Sequence, residues 1–400
     1  MKMHKTTTDG YGTGVKLART LSPILLLFAA LISLRCGSFR LSGTLLANPG
    51  DWPTSGHDNA RTCTSSDAIS PPLVRDWLID ISAGVGSGSP ILVDSTIVVG
   101  TLRGELLVVA QNTGSRIASM RLGDAIAGSP AVIRHGLAIP LTGTDQSIAA
   151  YNTEIGSFQW KRNDGAVEMS PLAQHGRLYY GTLDGTLLCV NDSDGTLIWK
   201  YNTTVEKNGI GFRANPASTD SLIVFGGNDG TVYALSAMTG TLRWRTDAGG
   251  PIVGGLVVHN RFVAVGTTAN SVTAFDSQNG VRLWTVAVDG PVYAAPAVIG
   301  DTIVVGTLAG TVYAICVANG SIAWRTNVGG PVNSAAAVSG QAIYLGTLDR
   351  QIIVLERSGG HIVWNETVNG RIKTAPAIGY GRIFVATDER ELMAYKEAPR

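Results

Sequence analysis

Charge is scarce in this 400-residue chain. Asp, Glu, Lys and Arg make up 15% of it, against about a quarter of an average soluble protein. With 31 basic and 30 acidic residues the formal net charge is +1, so no basic footprint marks a nucleic-acid surface. Cysteine is scarcer still, at four residues, and neither a CxxC pair nor a Cys/His cluster suggests a metal site. Apolar residues come in runs of four to six with no helical periodicity between them. One longer run, Leu21 to Leu34, falls short of the ~18 to 20 residues that usually span a bilayer.

Glycine is abundant, 49 residues of 400, and its placement is regular. The Gly that ends one apolar run recurs at Gly226, Gly266, Gly306 and Gly346, with Ala386 last, at intervals of 40 residues. Earlier copies carry it at Gly100 and Gly181, with Pro140 in the second. A fixed period of this size marks a repeat architecture. Within each copy, Val, Ile and Tyr runs alternate with turn signals such as Leu183 to Thr186 (LDGT) and Asn228 to Thr231 (NDGT). That spacing predicts four short strands per copy, the pattern of a propeller blade.

The two chain ends complement each other. Fourth strands are expected at Trp77, Ala118, Trp160, Trp199, Trp244, Trp284, Trp324 and Trp364. First strands are expected to start at Pro90, Pro130, Pro171, Pro216, Leu256, Pro296, Ala336 and Pro376. Trp77 opens the series with a fourth strand that lacks its first three, and Pro376 to Tyr395 supplies three strands without a fourth. Pairing the two makes eight whole antiparallel blades and removes the edges that an open array would expose. The fold class is therefore all-β, an eight-bladed propeller over residues 77–396, preceded by an extended lead-in at 48–76.

Residues 1–47 differ in kind. Lys2, Lys5, Lys16 and Arg19 precede the apolar run, and Arg35 ends it. A basic flank and a short apolar core fit an export signal. Three outcomes are consistent with it: cleavage, with Ser38 (Cys36 two before it) or Ala47 as candidate sites; retention of 21–34 as a signal anchor; or lipid attachment at Cys36, which Arg35 in the preceding position disfavours. In each case the propeller is expected outside the cytoplasmic membrane, periplasmic or extracellular, touching membrane only through this segment. Cys189 and Cys316 fall in third strands of blades three apart, which argues against a disulfide between them.

Ala234 to Trp244 (ALSAMTGTLRW), Ala274 to Trp284 (AFDSQNGVRLW) and Ala150 to Trp160 (AYNTEIGSFQW) resemble the Trp-docking motif of the PQQ-like repeat family of quinoprotein-type propellers. The lead-in Asp51 to Arg61 (DWPTSGHDNAR) is similar to the segment before blade one in that family. The resemblance spans about residues 51 to 396. It implies that Trp77, Trp160, Trp199, Trp244, Trp284, Trp324 and Trp364 are structural, each offering a flat ring and one N–H to the next blade. The junction at Ala118 lacks that ring and is expected to be the weakest. The family includes dehydrogenases that hold pyrroloquinoline quinone and calcium, and noncatalytic propellers such as the lipoprotein of the outer-membrane β-barrel assembly machine. This chain has no adjacent Cys pair of the kind the dehydrogenases place beside the quinone, and no room for their long inserted loops. No catalytic residue, metal or cofactor is assigned.

The period breaks twice. Trp199 to Trp244 spans 45 residues, the extra five lying before Pro216, and copy two carries two extra residues around Thr142 to Gln146. Strands alternate in direction, so both insertions are expected on one face. Loops on a rigid scaffold often carry function. Asp145, Gln146, Glu206, Lys207, Asn208, Phe212 and Arg213 are the candidate binding residues, with Phe212 and Arg213 as anchors. His135 and His175 are expected on the opposite face. The resulting expectation is a monomeric, noncatalytic binding or scaffold module with a protein or peptide partner in the cell envelope. The alternative is a PQQ-dependent dehydrogenase-like enzyme.

Overall fold

The computed structural model describes residues 39, 40, 48, 50–143, 145–203 and 211–399. The apolar segment 21–34, Cys36, Ala47 and the candidates Glu206, Lys207 and Asn208 lie outside these residues. Strands form eight sheets, with no helix among the described residues. Blade 1 consists of Ile91–Val93, Thr96–Gly100, Glu105–Ala110 and Arg116–Arg121. The same order of a short inner strand, two central strands and an outer strand recurs around the ring.

The ring closes where the strand count requires. Leu73–Asp80 pairs antiparallel with Glu391–Glu397, from Leu73 opposite Glu397 to Asp80 opposite Glu391. Three strands from the end of the chain and one from its beginning thus make blade 8. Asp76 on the entering strand receives Lys396 Nζ at 2.5 Å and Arg382 Nε at 2.9 Å, both from the closing partners.

Burial explains why these runs are strands. The central strands are buried on both faces by neighbouring blades, as at Ala342–Gly346, so they are continuously apolar rather than alternating. Outer strands such as Leu242–Asp247 alternate, with Trp244 buried and its neighbours exposed. Turns are set locally. Asp229 Oδ1 accepts the Thr231 N–H at 2.9 Å across Gly230, whose φ is +85°, a left-handed conformation that glycine adopts without steric cost.

Each outer strand carries a β-bulge beside its docking position, and such a bulge re-aims a side chain. Six of the tryptophans then donate Nε1–H to a turn carbonyl of the next blade. Trp77 reaches Gln111, Trp160 Asp192 and Trp199 Ala237. Trp244 reaches Ser277, Trp284 Val317 and Trp324 Arg357, and the six distances lie between 2.7 and 3.2 Å. Trp364 faces the closing blade and meets Tyr395 edge-on, with ring centroids 5.9 Å apart.

Candidate functional site

Second-to-third-strand turns and blade-to-blade connections share one face. In all eight blades a turn N–H bonds to a carbonyl of the incoming connection, as Asn228 does to Gly211 at 3.1 Å and Leu308 to Pro291 at 2.9 Å. First strands leave this face and run toward the other. The lead-in segment crosses their far halves. Its carbonyls at Trp52, Asn59, Ala60, Thr62 and Cys63 accept N–H groups of Leu92, Ser218, Val258, Val298 and Val338 in turn. Thr64–Ser65 then joins Val338 and Ser339 as a short parallel strand. This girdle closes the central channel on the side of the first-to-second turns, where His135 and His175 lie. The channel becomes a funnel of about 500 Å³, lined at its floor by Ser55, Gly56, Arg61 and Cys63 of the girdle, whose mouth lies on the face of the connections.

Arg61 pins the floor. It is 2% exposed, and among the described residues no carboxylate forms an ion pair with its guanidinium. Nε donates to Pro216 O at 2.8 Å, and Nη1 to Thr54 Oγ1 at 2.5 Å and to Ser55 O. Nη2 donates to Ser170 and Pro171 carbonyls at 3.4 and 3.3 Å. Burial lowers its pKa to about 10, and the carbonyl dipoles that surround it satisfy the planar fork that a lysine could not reproduce. Asp51 and Tyr344 tie the girdle's ends to blades 8 and 7. Asp51 Oδ1 accepts Tyr380 Oη–H at 2.7 Å, and Tyr344 Oη–H donates to Ile69 O at 2.5 Å.

The funnel wall is built from one register of the repeat. Ile126, Val167, Phe212, Ile252, Val292, Val332 and Ile372 are buried anchors of successive connections. Each donates its backbone N–H to the residue after the Gly that ends the preceding blade's second apolar run (after Pro140 in blade 2), as Phe212 does to Thr182 O at 3.1 Å and Ile252 to Gly227 O at 3.2 Å. The residue after each anchor lines the mouth from the third blade onward: Glu168, Arg213, Val253, Tyr293, Asn333 and Lys373. Deeper in, the residue before the position that opens each first-strand run (Pro90, Pro130, Pro171, Pro216, Leu256, Pro296, Ala336 and Pro376) is Ser89, Ser129, Ser170 and Asn215 in blades 1 to 4, but Gly255, Ala295, Ala335 and Ala375 in blades 5 to 8. The polar half is wired together. Ser129 Oγ donates to Ser89 O at 2.8 Å, Ser129 N to Ser170 Oγ at 2.8 Å and Ser170 N to Asn215 Oδ1 at 2.7 Å, while Asn215 Nδ2 reaches Ser55 Oγ at 3.2 Å. Below the mouth the funnel is therefore polar toward blades 1 to 4 and apolar toward blades 5 to 8, with Tyr293 40% exposed at the rim.

The residues expected to bind are divided by this geometry. Arg213 is exposed and lines the mouth, its Nε 2.7 Å from Glu168 Oε2. Asp145 is exposed and Gln146 half-buried on the same face. Phe212 is corrected. It is 0% exposed, stacked edge-on against Phe225 and Tyr233 with centroids 6.0 and 5.8 Å away. It belongs to the anchor series and not to the inserted residues, so it cannot serve as a surface anchor. The remaining mouth residues were not among the expected binders. The signal for them is present in the sequence as a fixed register whose side-chain type changes while its flanks repeat.

The funnel does not fit the quinone and calcium of the dehydrogenases. Calcium takes six to eight oxygen ligands, carboxylates prominent among them. Glu168 is the one carboxylate among the described lining residues, and Arg213 engages it. Among the described residues no group of three or more His, Cys, Asp and Glu is arranged to hold a metal. Cys63 stands singly at the floor, its thiol pushed up to about 12 by burial, unlike the paired cysteines that accompany the quinone.

Solved structures share this architecture. BamB from Moraxella catarrhalis is 17% identical with a TM-score of 0.70, over 81% of this chain and 99% of that one. The quinohemoprotein alcohol dehydrogenase ADHIIG from Pseudomonas putida HK5 is 11% identical with a TM-score of 0.74, over 88% of this chain and 82% of that one. The computationally designed Ika8 protein is 15% identical with a TM-score of 0.70, over 81% of this chain and all of that one. Such identities establish the fold and leave the activity to the site. No curated protein matches the chain in a sequence comparison. A family model described as outer membrane protein assembly factor BamB matches residues 73–209, 183–336 and 308–398. Because these overlapping matches run around the whole ring, the chain belongs to the family of outer membrane protein assembly factor BamB.

Proposed function

We propose that this chain is a noncatalytic binding propeller of the cell envelope that holds a protein or peptide segment at the funnel mouth. The observation that carries the reading is the mouth register itself. A ring that repeats its structural residues carries there, side by side, an ion pair, an apolar residue, an exposed Tyr, an Asn and a Lys. Arg and Tyr are enriched among residues that dominate binding energy, and the small residues of blades 5 to 8 leave room for an inserted side chain. A floor crossed by the girdle suits capture of a loop or a chain end. Family membership supports the envelope location and a protein partner.

The test is site-specific photocrosslinking in intact cells, with the probe at position 293 at the mouth or at 175 on the closed face. A discrete product at 293, reduced at least about tenfold by Arg213→Ala with Val253→Ala and missing at 175, is the expected result. Products at 175 alone would place binding on the other side of the disc. Dye-linked alcohol oxidation on adding pyrroloquinoline quinone and calcium, lost in the mouth variants, would replace this reading with the enzymatic one.

A further inference from the structure

One blade junction has no docking tryptophan, and another part of the chain fills it. Ala118 occupies the docking position of blade 1, beside the same bulge as the tryptophans. In blade 2, Thr153 stands where other blades supply the acceptor carbonyl, and its buried hydroxyl has no hydrogen-bond partner among the described residues. Phe39, from the segment that joins the N-terminal apolar run to the propeller, lies here at 5% exposure. It shares a core cluster with Val108, Leu137 and Tyr151, against which Ala118 and Met120 pack. Its ring meets Tyr151 edge-on, with centroids 5.3 Å apart, and Tyr151 meets Phe158 likewise at 5.1 Å. Tyr151 Oη–H donates to Phe39 O at 2.8 Å, so backbone as well as ring is held.

We propose that Phe39 is the docking aromatic of the blade 1–2 junction, supplied from outside the repeat, and that the exported protein keeps it. The first part follows from chemistry. An edge-to-face aromatic pair adds stabilisation beyond area burial, and a junction with only Ala118 would leave apolar surface of both blades without it. The second part follows from the first. Processing after Ala47 would discard Phe39 and open the junction, whereas processing after Ser38, or none, retains it.

Hydrogen exchange of the full chain tests the docking. Phe39→Ala should speed exchange in Arg116–Arg121 and Ile148–Asn152 by on the order of tenfold, with the blades across the ring unchanged. Ala118→Trp in the Phe39→Ala background should restore protection, because an indole there regains the ring and places its N–H beside Thr153. Unchanged exchange in Phe39→Ala, or an equal rise around the whole ring, overturns the docking role. Failure of Ala118→Trp to restore protection overturns the equivalence with tryptophan. Intact mass of the protein recovered from the envelope tests retention. An N-terminus at or before Phe39 is expected, and one between Arg40 and Asn48 would refute it.

Discussion

Substituting two glycines separates the docked indole from the turn that receives it. Gly240 has φ +69°, and a Cβ added there would lie 2.5 Å from Trp199 Cδ2 and 2.6 Å from Cγ. The indole cannot retreat without lengthening its 3.1 Å bond to Ala237 O. Gly249 has φ +87°, yet an added Cβ would meet nothing within 4 Å. Both Gly240→Ala and Gly249→Ala impose a left-handed backbone on a residue with a Cβ, at about 1–2 kcal/mol. Only Gly240→Ala also overpacks the junction, by about 1–3 kcal/mol more. Expected losses are therefore about 1–2 kcal/mol for Gly249→Ala and about 2–5 kcal/mol for Gly240→Ala. Urea unfolding followed by both tryptophan fluorescence and far-ultraviolet circular dichroism measures them, coincident transitions justifying the comparison. Equal losses in the two variants would show that the indole contributes nothing beyond filling space, and the account of blade docking would fail.

Three further outcomes follow from the same structure. Deleting residues 375–400 removes three of the four strands of blade 8 and opens two edges; the truncated chain should melt far below the intact one, and an unchanged Tm would contradict closure. The Lys396 bond, reinforced by Arg382, holds the Asp76 carboxyl below the usual carboxylate range against the opposing effect of burial. Since the folded pKa is depressed, this stabilisation is full above the unfolded value of about 4 and lost as pH falls through the folded one. Asp76→Asn should therefore flatten the acid limb of a stability–pH profile, and an identical limb would show that closure does not depend on the pair. Arg61→Lys should cost about 1–3 kcal/mol in thermal or urea unfolding, because one ammonium cannot serve the carbonyls of Ser55, Ser170, Pro171 and Pro216 together; a neutral result would remove Arg61 as the pin of the funnel floor.

The ring was legible because a repeat states its own geometry eight times. Turn residues, apolar runs and Trp positions are local signals, and the unmatched strands at the two ends need only be counted. The girdle was legible only as a segment of family-like sequence. Its bonds run from Trp52 to Leu92 and from Cys63 to Val338, separations that no local pattern reports. Phe39 was hidden for the same reason. The gap at Ala118 shows in the sequence, but a single aromatic before the first blade carries no mark of where it docks.

Phe212 and Arg213 show where reading by composition failed and reading by register succeeds. Both follow an insertion, and both are residue types favoured at interfaces. Forty residues later stand Ile252 and Val253, then Val292 and Tyr293, then Val332 and Asn333. The first member of each pair is always bulky and apolar, and the second is anything. Successive side chains of an extended connection point to opposite sides. The first therefore packs under the Gly that ends the preceding blade's second strand, as Phe212 Cβ does at 2.8 Å from the Cβ that Gly181 would carry. The second has no such constraint and turns to the funnel. In a closed ring the positions free to vary without loss of the fold are those that face the axis or the solvent, and only the axial ones converge on one volume. A side chain that departs from the repeat at that register is placed beside equally unconstrained neighbours from other blades, and a mixed binding surface can arise there without disturbing a single blade contact.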